Sequence, residues 1–256
     1  MKRFFLFAIG LCAVALAARA DVLGEYVFEG SLGDKVPVEI SFCVNGDDIA
    51  VGEIKYTKLK NPQPILIVGH WGEDGLSLTE YLRDGTVTGL MFMRIEDEGH
   101  GPYIDYGYWT NPKTGTQLKM KNMICTEVTV DVPRYLAYEK PEWKRQKYVY
   151  RQWDKASQTM KVGTVQFNNL GDHKMHFEVN DEVRGSGFST PENRPAVLGD
   201  YTYDYFIYEN VNECGYSVSA HFFKDFVLFL RTSEQYTREC GGKSYAIEGC
   251  YIKVDE

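Results

Sequence analysis

Few side chains in this 256-residue chain stand at spacings that chemistry requires. Hydrolysis by carboxylates alone needs two acids on inward-facing positions, about 5–10 Å apart. Glu80 is one candidate, because it falls in phase with Leu76 and Leu78 on one face of a strand-like run. Asp105 is a second, in phase with Tyr103, Gly107 and Trp109, and Trp109 is a candidate ligand-binding ring on that face. Asn122 is another polar residue in an apolar phase, shared with Leu118, Met120 and Ile124. An inward polar group without a partner is costly, so such residues either pair internally or line a wet cavity. The plainer reading of Glu80 is exposure at a strand end before Arg83-Asp84-Gly85.

Nucleophiles fare worse. Ser186 in Gly185-Ser186-Gly187 lacks the G-x-S-x-G spacing of a nucleophile turn. Cys214 and His221 are seven residues apart, about 20 Å in an extended strand, so they do not touch. His173 and His176 have odd spacing, which sends the rings of a straight strand to opposite faces. Glu96-Asp97-Glu98 lacks the alternating layout of calcium loops. No catalytic residue, metal site or cofactor is expected. A binding surface is: Tyr201, Tyr203 and Tyr205 form a stripe on one strand face, with Phe206 and Tyr208 opposite. Tyr joins a flat apolar ring to a hydroxyl, which suits carbohydrate and protein surfaces. Its competing role is that of a strand former shielding the core.

The elements that must position these residues are short strands. Turn-forming clusters recur through the first half, among them Asn45-Gly46-Asp47-Asp48, Gly72-Glu73-Asp74-Gly75 and Arg83-Asp84-Gly85. Gly, Asn and Asp tolerate the positive φ of hairpin turns, so each cluster can reverse the chain. Eight runs lie between these clusters, and Val36, Val38, Ile40, Phe42 and Val44 alternate with polar neighbours over one of them. The connections are too short for crossover helices, so neighbouring strands are antiparallel. Eight such strands leave exposed edges unless they close, which predicts an up-and-down barrel over residues 21–132, with an open sandwich as the alternative. Residues 133–146, with two prolines and four basic residues, read as a linker. Residues 147–256 read as a second antiparallel β module, with a polar loop over 183–193. The whole is all-β.

Residues 1–20 have the three parts of a secretory signal: Lys2-Arg3, an apolar run, and Ala18-Arg19-Ala20 before the expected cleavage. Export to the periplasm, cell envelope or exterior is the expectation. Removing Lys2, Arg3 and Arg19 from 28 bases leaves 25 against 36 acids, a net charge of −11. That acidity argues against nucleic acid as a partner. After the signal no apolar stretch is long enough for a transmembrane helix. Export permits disulfides, and five cysteines then remain. Cys214–Cys240 is the expected bridge, closing a presumed hairpin, with Cys240–Cys250 competing. A second bridge is open to Cys43 and Cys125.

Several fragments occur in a telling order: Leu23-Gly24-Glu25-Tyr26, Val51-Gly52-Glu53-Ile54-Lys55-Tyr56, Leu76-Ser77-Leu78-Thr79-Glu80, Thr88-Gly89 and Gly107-Tyr108-Trp109-Thr110. This series resembles a module of exported Gram-negative bacterial proteins to which no activity is attached. Cys214-Gly215-Tyr216, Phe222-Phe223-Lys224-Asp225-Phe226, Cys240 and Glu248-Gly249-Cys250-Tyr251 are similar to the module that often follows it. Cys250 departs from that pattern, as the odd cysteine would. The cadence of the first module also resembles avidin- and lipocalin-type barrels, an analogy of fold that names no ligand. The expected function is therefore non-enzymatic binding of a small molecule, glycan or protein. The alternative is an inhibitor or interaction module acting on an envelope or extracellular enzyme, and a glycan hydrolase is the remote third.

Overall fold

The computed structural model describes residues 25–45, 47–129, 144–183, 185–198, 205–209, 217–232 and 247–255. The signal segment, most of the linker, Tyr201, Tyr203, Cys214 and Cys240 lie outside the described residues.

Every described element is a strand, as the turn spacing requires. The first eight are β1 (Glu25–Leu32), β2 (Val36–Val44), β3 (Ile49–Tyr56), β4 (Ile65–Gly72), β5 (Gly75–Tyr81), β6 (Val87–Glu96), β7 (Tyr103–Thr110) and β8 (Gln117–Thr129). They pair in sequence order, and β8 returns to β1 to close the barrel. The open sandwich is thus excluded for this half. Closure leaves no unpaired edge.

Alternation places one set of side chains inside. Phe28, Val38, Ile40, Phe42, Leu78 and Met93 belong to an interior cluster with almost no exposure. Phe28 and Phe42 stack at 5.8 Å, with Tyr26 beside them. The interior is packed with side chains. On the outer wall, Lys55 pairs with Glu39 across β2 and β3 at 2.5 Å.

The second half is a nine-stranded antiparallel sheet. Its strands are β9 (Arg145–Asp154), β10 (Thr159–Gly171), β11 (Lys174–Asp181), β12 (Ser186–Ser189), β13 (Ala196–Val197), β14 (Tyr205–Tyr208), β15 (Val218–Phe222), β16 (Phe226–Arg231) and β17 (Gly249–Val254). The spatial order is β12-β11-β10-β9-β17-β16-β15-β14, with β13 also on β11. β12 falls inside 183–193, so that stretch is not wholly the loop its polarity predicts: Ser186–Ser189 borrows its ladder from β11. The sheet curls around aromatic rings, among them Phe167, Phe177, Phe206, Phe222 and Phe229.

The two sheets share a core. Cys43, Ile49, Val51, Val68, Tyr81 and Val87 point outward from the barrel and join the apolar cluster of the second sheet. Tyr81 meets Tyr150 at 6.4 Å. At one point backbone meets backbone: the Arg151 amide donates to Gly85 O at 2.8 Å, beside a bridge from Thr86 to Arg151.

This arrangement corrects the second disulfide. No bridge joins Cys43 to Cys125. They lie on strands to either side of β1, opposite Glu25 and Phe28 respectively. Cys43 faces the second sheet whereas Cys125 packs against the barrel interior, so the thiols are on opposite faces of the wall. Cys250 is a buried thiol on β17, not half of a Cys240–Cys250 bridge.

Candidate functional site

Two places gather polar side chains. The first is the barrel end where β3, β5 and β7 stop and β6 starts. Glu80 is 2% exposed there. Its Oε2 accepts from Tyr56 Oη at 2.9 Å and from Trp109 Nε1 at 3.0 Å, and its Oε1 accepts from Thr88 Oγ1 at 2.8 Å. The donors come from β3, β6 and β7, so one carboxylate ties four strands together. Local irregularity makes this possible. Glu80 faces Gly89 and Tyr81 faces Val87, leaving Thr88 as an extra residue on β6. Such a bulge re-aims a side chain, and here it turns the Thr88 hydroxyl inward. Gly89 supplies room, since a Cβ there would stand 2.1 Å from Trp109 Nε1 and 2.6 Å from Glu80 Oε2. Burial, and then the Glu80 charge, push the Tyr56 phenol far above its ordinary value.

Tyr56, Glu80, Thr88-Gly89 and Trp109 lie in the fragments quoted for the first-module resemblance. The fold brings these four of the five fragments to one point. With three protein donors, Glu80 is satisfied from within, as a buried carboxylate must be. Both of its oxygens are engaged, which makes it a fastener between strands. The second module repeats the theme: buried Asp181 accepts from Tyr251 Oη at 3.0 Å.

Asp105 does not join Glu80. Tyr106 faces Arg94 while Ile104 faces Ile95, so Asp105 is the extra residue of a second bulge. The phase slips there: Ile104 and Gly107 are buried and Asp105 is exposed. The carboxylate pair required for hydrolysis does not form. Asn122 fails for the same reason. It stands at a third irregularity with φ of 54°, it is exposed, and Met123 takes the inward position while Ile124 turns out.

The second place is a groove of about 1130 Å³ between the outer wall of β4 and β5 and the face of β14 to β17. Val68, His70, Ser77, Thr79 and Tyr81 form one side. Tyr205, Ser219, His221, Leu228 and Cys250 face them. Of the tyrosine stripe, Tyr205 is the described member, and it stacks on His221 with centroids 5.6 Å apart and planes 13° off parallel. His221 Nε2 and Ser219 Oγ are 3.0 Å apart. Arg231 is held by Glu248 at 2.7 Å. Burial raises the Cys250 thiol well above its usual range.

Reasoning from sequence weighed His221 only against Cys214 and missed Ser219, so their pairing went unseen. The signal was present, because they alternate with Val218, Ala220 and Phe222 and so mark the groove-facing side of β15. A serine beside an imidazole suggests a nucleophile and base. Ser219 is mid-strand, however, between Ile207 of β14 and Leu230 of β16, and the surrounding amides serve the ladders. Among the described residues the strand amides on either side of Ser219 are therefore not free to form an oxyanion site. His176 bonds to Thr190 Oγ1 at 2.7 Å while His173 sits in the β10–β11 turn, so the two imidazoles are separated. Among the described residues no three His, Cys, Asp or Glu side chains converge as a metal site, and no helix is long and apolar enough to cross a membrane. No protein-family model, curated protein or solved structure matches the chain.

Proposed function

We propose that this chain is an exported, non-enzymatic binding protein whose ligand lies in the groove between the barrel wall and the second sheet. One observation carries the reading: the barrel interior is filled, while the large concave space lies outside it and is lined by mixed apolar, hydroxyl and aromatic groups. Binding sites have that composition. The signal-like residues 1–20 support export. Non-enzymatic action is supported by the internal saturation of Glu80 and the outward turn of Asp105.

Ser77 is an exposed wall residue, so Ser77→Trp fills the groove without disturbing the core. The full mature chain, immobilised, would be offered an oligosaccharide array and a random peptide library. Compounds captured by the native protein are expected to be lost from Ser77→Trp at unchanged melting temperature. Equal capture by both proteins, or chemical turnover of a captured compound, would overturn the proposal.

A further inference from the structure

The groove does not end at β5. Ser77 and Thr79 line it, and they also line a second depression of about 330 Å³ on the far side of the same strand. That depression is bounded by Leu90, Phe92, Tyr108 and Thr110 on β6 and β7. A single track therefore runs from Tyr205, over the hydroxyls of β5, to the outer face of β7, which lies about 10 Å from β5.

Aromatic rings stand at both ends. Phe92 and Tyr108 are cross-strand partners with rings stacked at 5.7 Å, and Tyr106 packs edge-on against Tyr108 at 5.9 Å. These rings face away from the barrel core, and Tyr106 is 48% exposed. At the other end Tyr205 lies flat on His221. Side-chain hydroxyls of Ser77, Thr79, Thr110 and Ser219 lie along the track.

The chemistry of the lining selects the occupant. Among the described lining residues there is no lysine, and the arginine, Arg231, already holds Glu248. The acids Asp47 and Asp48 lie at the β2–β3 turn. An anionic chain would find no cation committed to it. Along β5 and the second depression an extended peptide would find no partner for its backbone, because these are interior strands of a closed barrel whose ladders are already paired; among the described strands only the β14 edge, at one end of the track, is open to it. A neutral sugar chain meets neither obstacle at any point along the track. Its pyranose C–H faces can lie on the rings, and its hydroxyls can pair with the Ser and Thr hydroxyls between them. We infer that the ligand is a linear neutral glycan, bound along a track from Tyr205 to the Phe92–Tyr108 platform. This rests on the groove reading above and adds the ligand class and the second contact area.

The test uses the full mature chain and linear hexasaccharides of glucose and of N-acetylglucosamine, with the matching disaccharides, a polyuronate and a polyalanine-based peptide as controls. Calorimetric titration is expected to show a neutral hexasaccharide binding at least tenfold more tightly than its disaccharide. Tyr108→Ala and Phe92→Ala should each weaken the hexasaccharide at least tenfold, with the disaccharide unchanged. Tyr108→Phe keeps the ring and should keep most of the affinity, which separates loss of stacking from loss of fold. If Ser77→Trp abolishes hexasaccharide binding but Tyr108→Ala and Phe92→Ala do not weaken it, the groove stands and the track is wrong. Preference for the polyuronate or the peptide in the groove overturns the glycan and leaves the groove. Binding indifferent to Ser77→Trp overturns both.

Discussion

Glu80 shows how one side chain can look catalytic in sequence and prove to be a fastener. Its environment predicts a graded response. Glu80→Gln keeps an oxygen for Tyr56 and Trp109, and its amide can donate to the Thr88 hydroxyl, so the loss should be on the order of 1 kcal/mol. Glu80→Leu strands the Tyr56 and Trp109 donors and should cost more, about 1–3 kcal/mol for each group left unsatisfied. Urea unfolding of the two variants measures the difference, and equal losses would contradict the bonding described here. Tyr56 adds a dependence on pH. Its phenol is held protonated in the fold, above the value near 10 of an unfolded tyrosine. The unfolded chain therefore releases this proton first as pH rises. Stability from this group is complete below about pH 10 and drains away above it. Tyr56→Phe should flatten the alkaline part of the stability profile relative to the native protein. The phase of Leu76, Leu78 and Glu80 made an inward Glu80 legible in the sequence. Its partners were hidden, because Tyr56 and Trp109 approach from strands two places away on either side and nothing local announces that.

Strands explain where reading by strict alternation broke down. Period two assigns Asp105 and Asn122 inward, and both assignments fail at bulges that carry no mark in their own strands' alternation. The Asp105 bulge holds no Gly or Pro to flag it, and at Asn122 the glycine is Gly30, on the partner strand and more than ninety residues away in sequence. The eight strands themselves were legible, because Asn, Asp and Gly clusters punctuate them and the connections are too short for anything but antiparallel pairing. Asn122 gives a direct check on its bulge. Its φ of 54° lies in the left-handed region. Asn122→Gly should be near neutral, whereas Asn122→Val should cost about 1–2 kcal/mol, since a branched residue resists that backbone. Gly89→Ala, by contrast, forces a Cβ onto the Trp109–Glu80 contact and should lower the melting temperature far more than Asn122→Val does.

At the scale of the molecule, the shared core decides how the halves behave. Prolines and charge mark residues 133–146 in the sequence as a connector, and of the described strands β8 ends at Thr129 and β9 begins at Arg145. That the barrel buries Cys43, Val51, Val68 and Tyr81 against the second sheet was not legible. Outward positions of one sheet reveal nothing until a second sheet covers them. With this core in common, the chain should unfold in one cooperative transition by calorimetry and by circular dichroism together. Two resolved transitions would show the halves to be independent. A fragment of residues 21–132 exposes that outer wall and should self-associate in analytical ultracentrifugation. Thiol mapping gives a further check. In native conditions iodoacetamide should label half-buried Cys125 and spare buried Cys43 and Cys250. Peptide mapping without reductant should recover Cys214 linked to Cys240, and a free Cys214 would refute that bridge.

The bond from Arg151 to Gly85 has a mechanical consequence. A closed barrel cannot extend its ladder into a neighbour, so beside the shared core the two sheets are pinned, among the described residues, at this one backbone contact. Gly85 has φ of 82°, and a Cβ there would stand 2.3 Å from Val149 O. Any side chain at residue 85 therefore acts as a wedge driven in at the pin. The groove opens between the same two sheets, so its width depends on how closely they meet at residue 85. Ligand capacity can then be reset by a residue that never touches the ligand, much as the span of calipers is set at the pivot and not at the jaws.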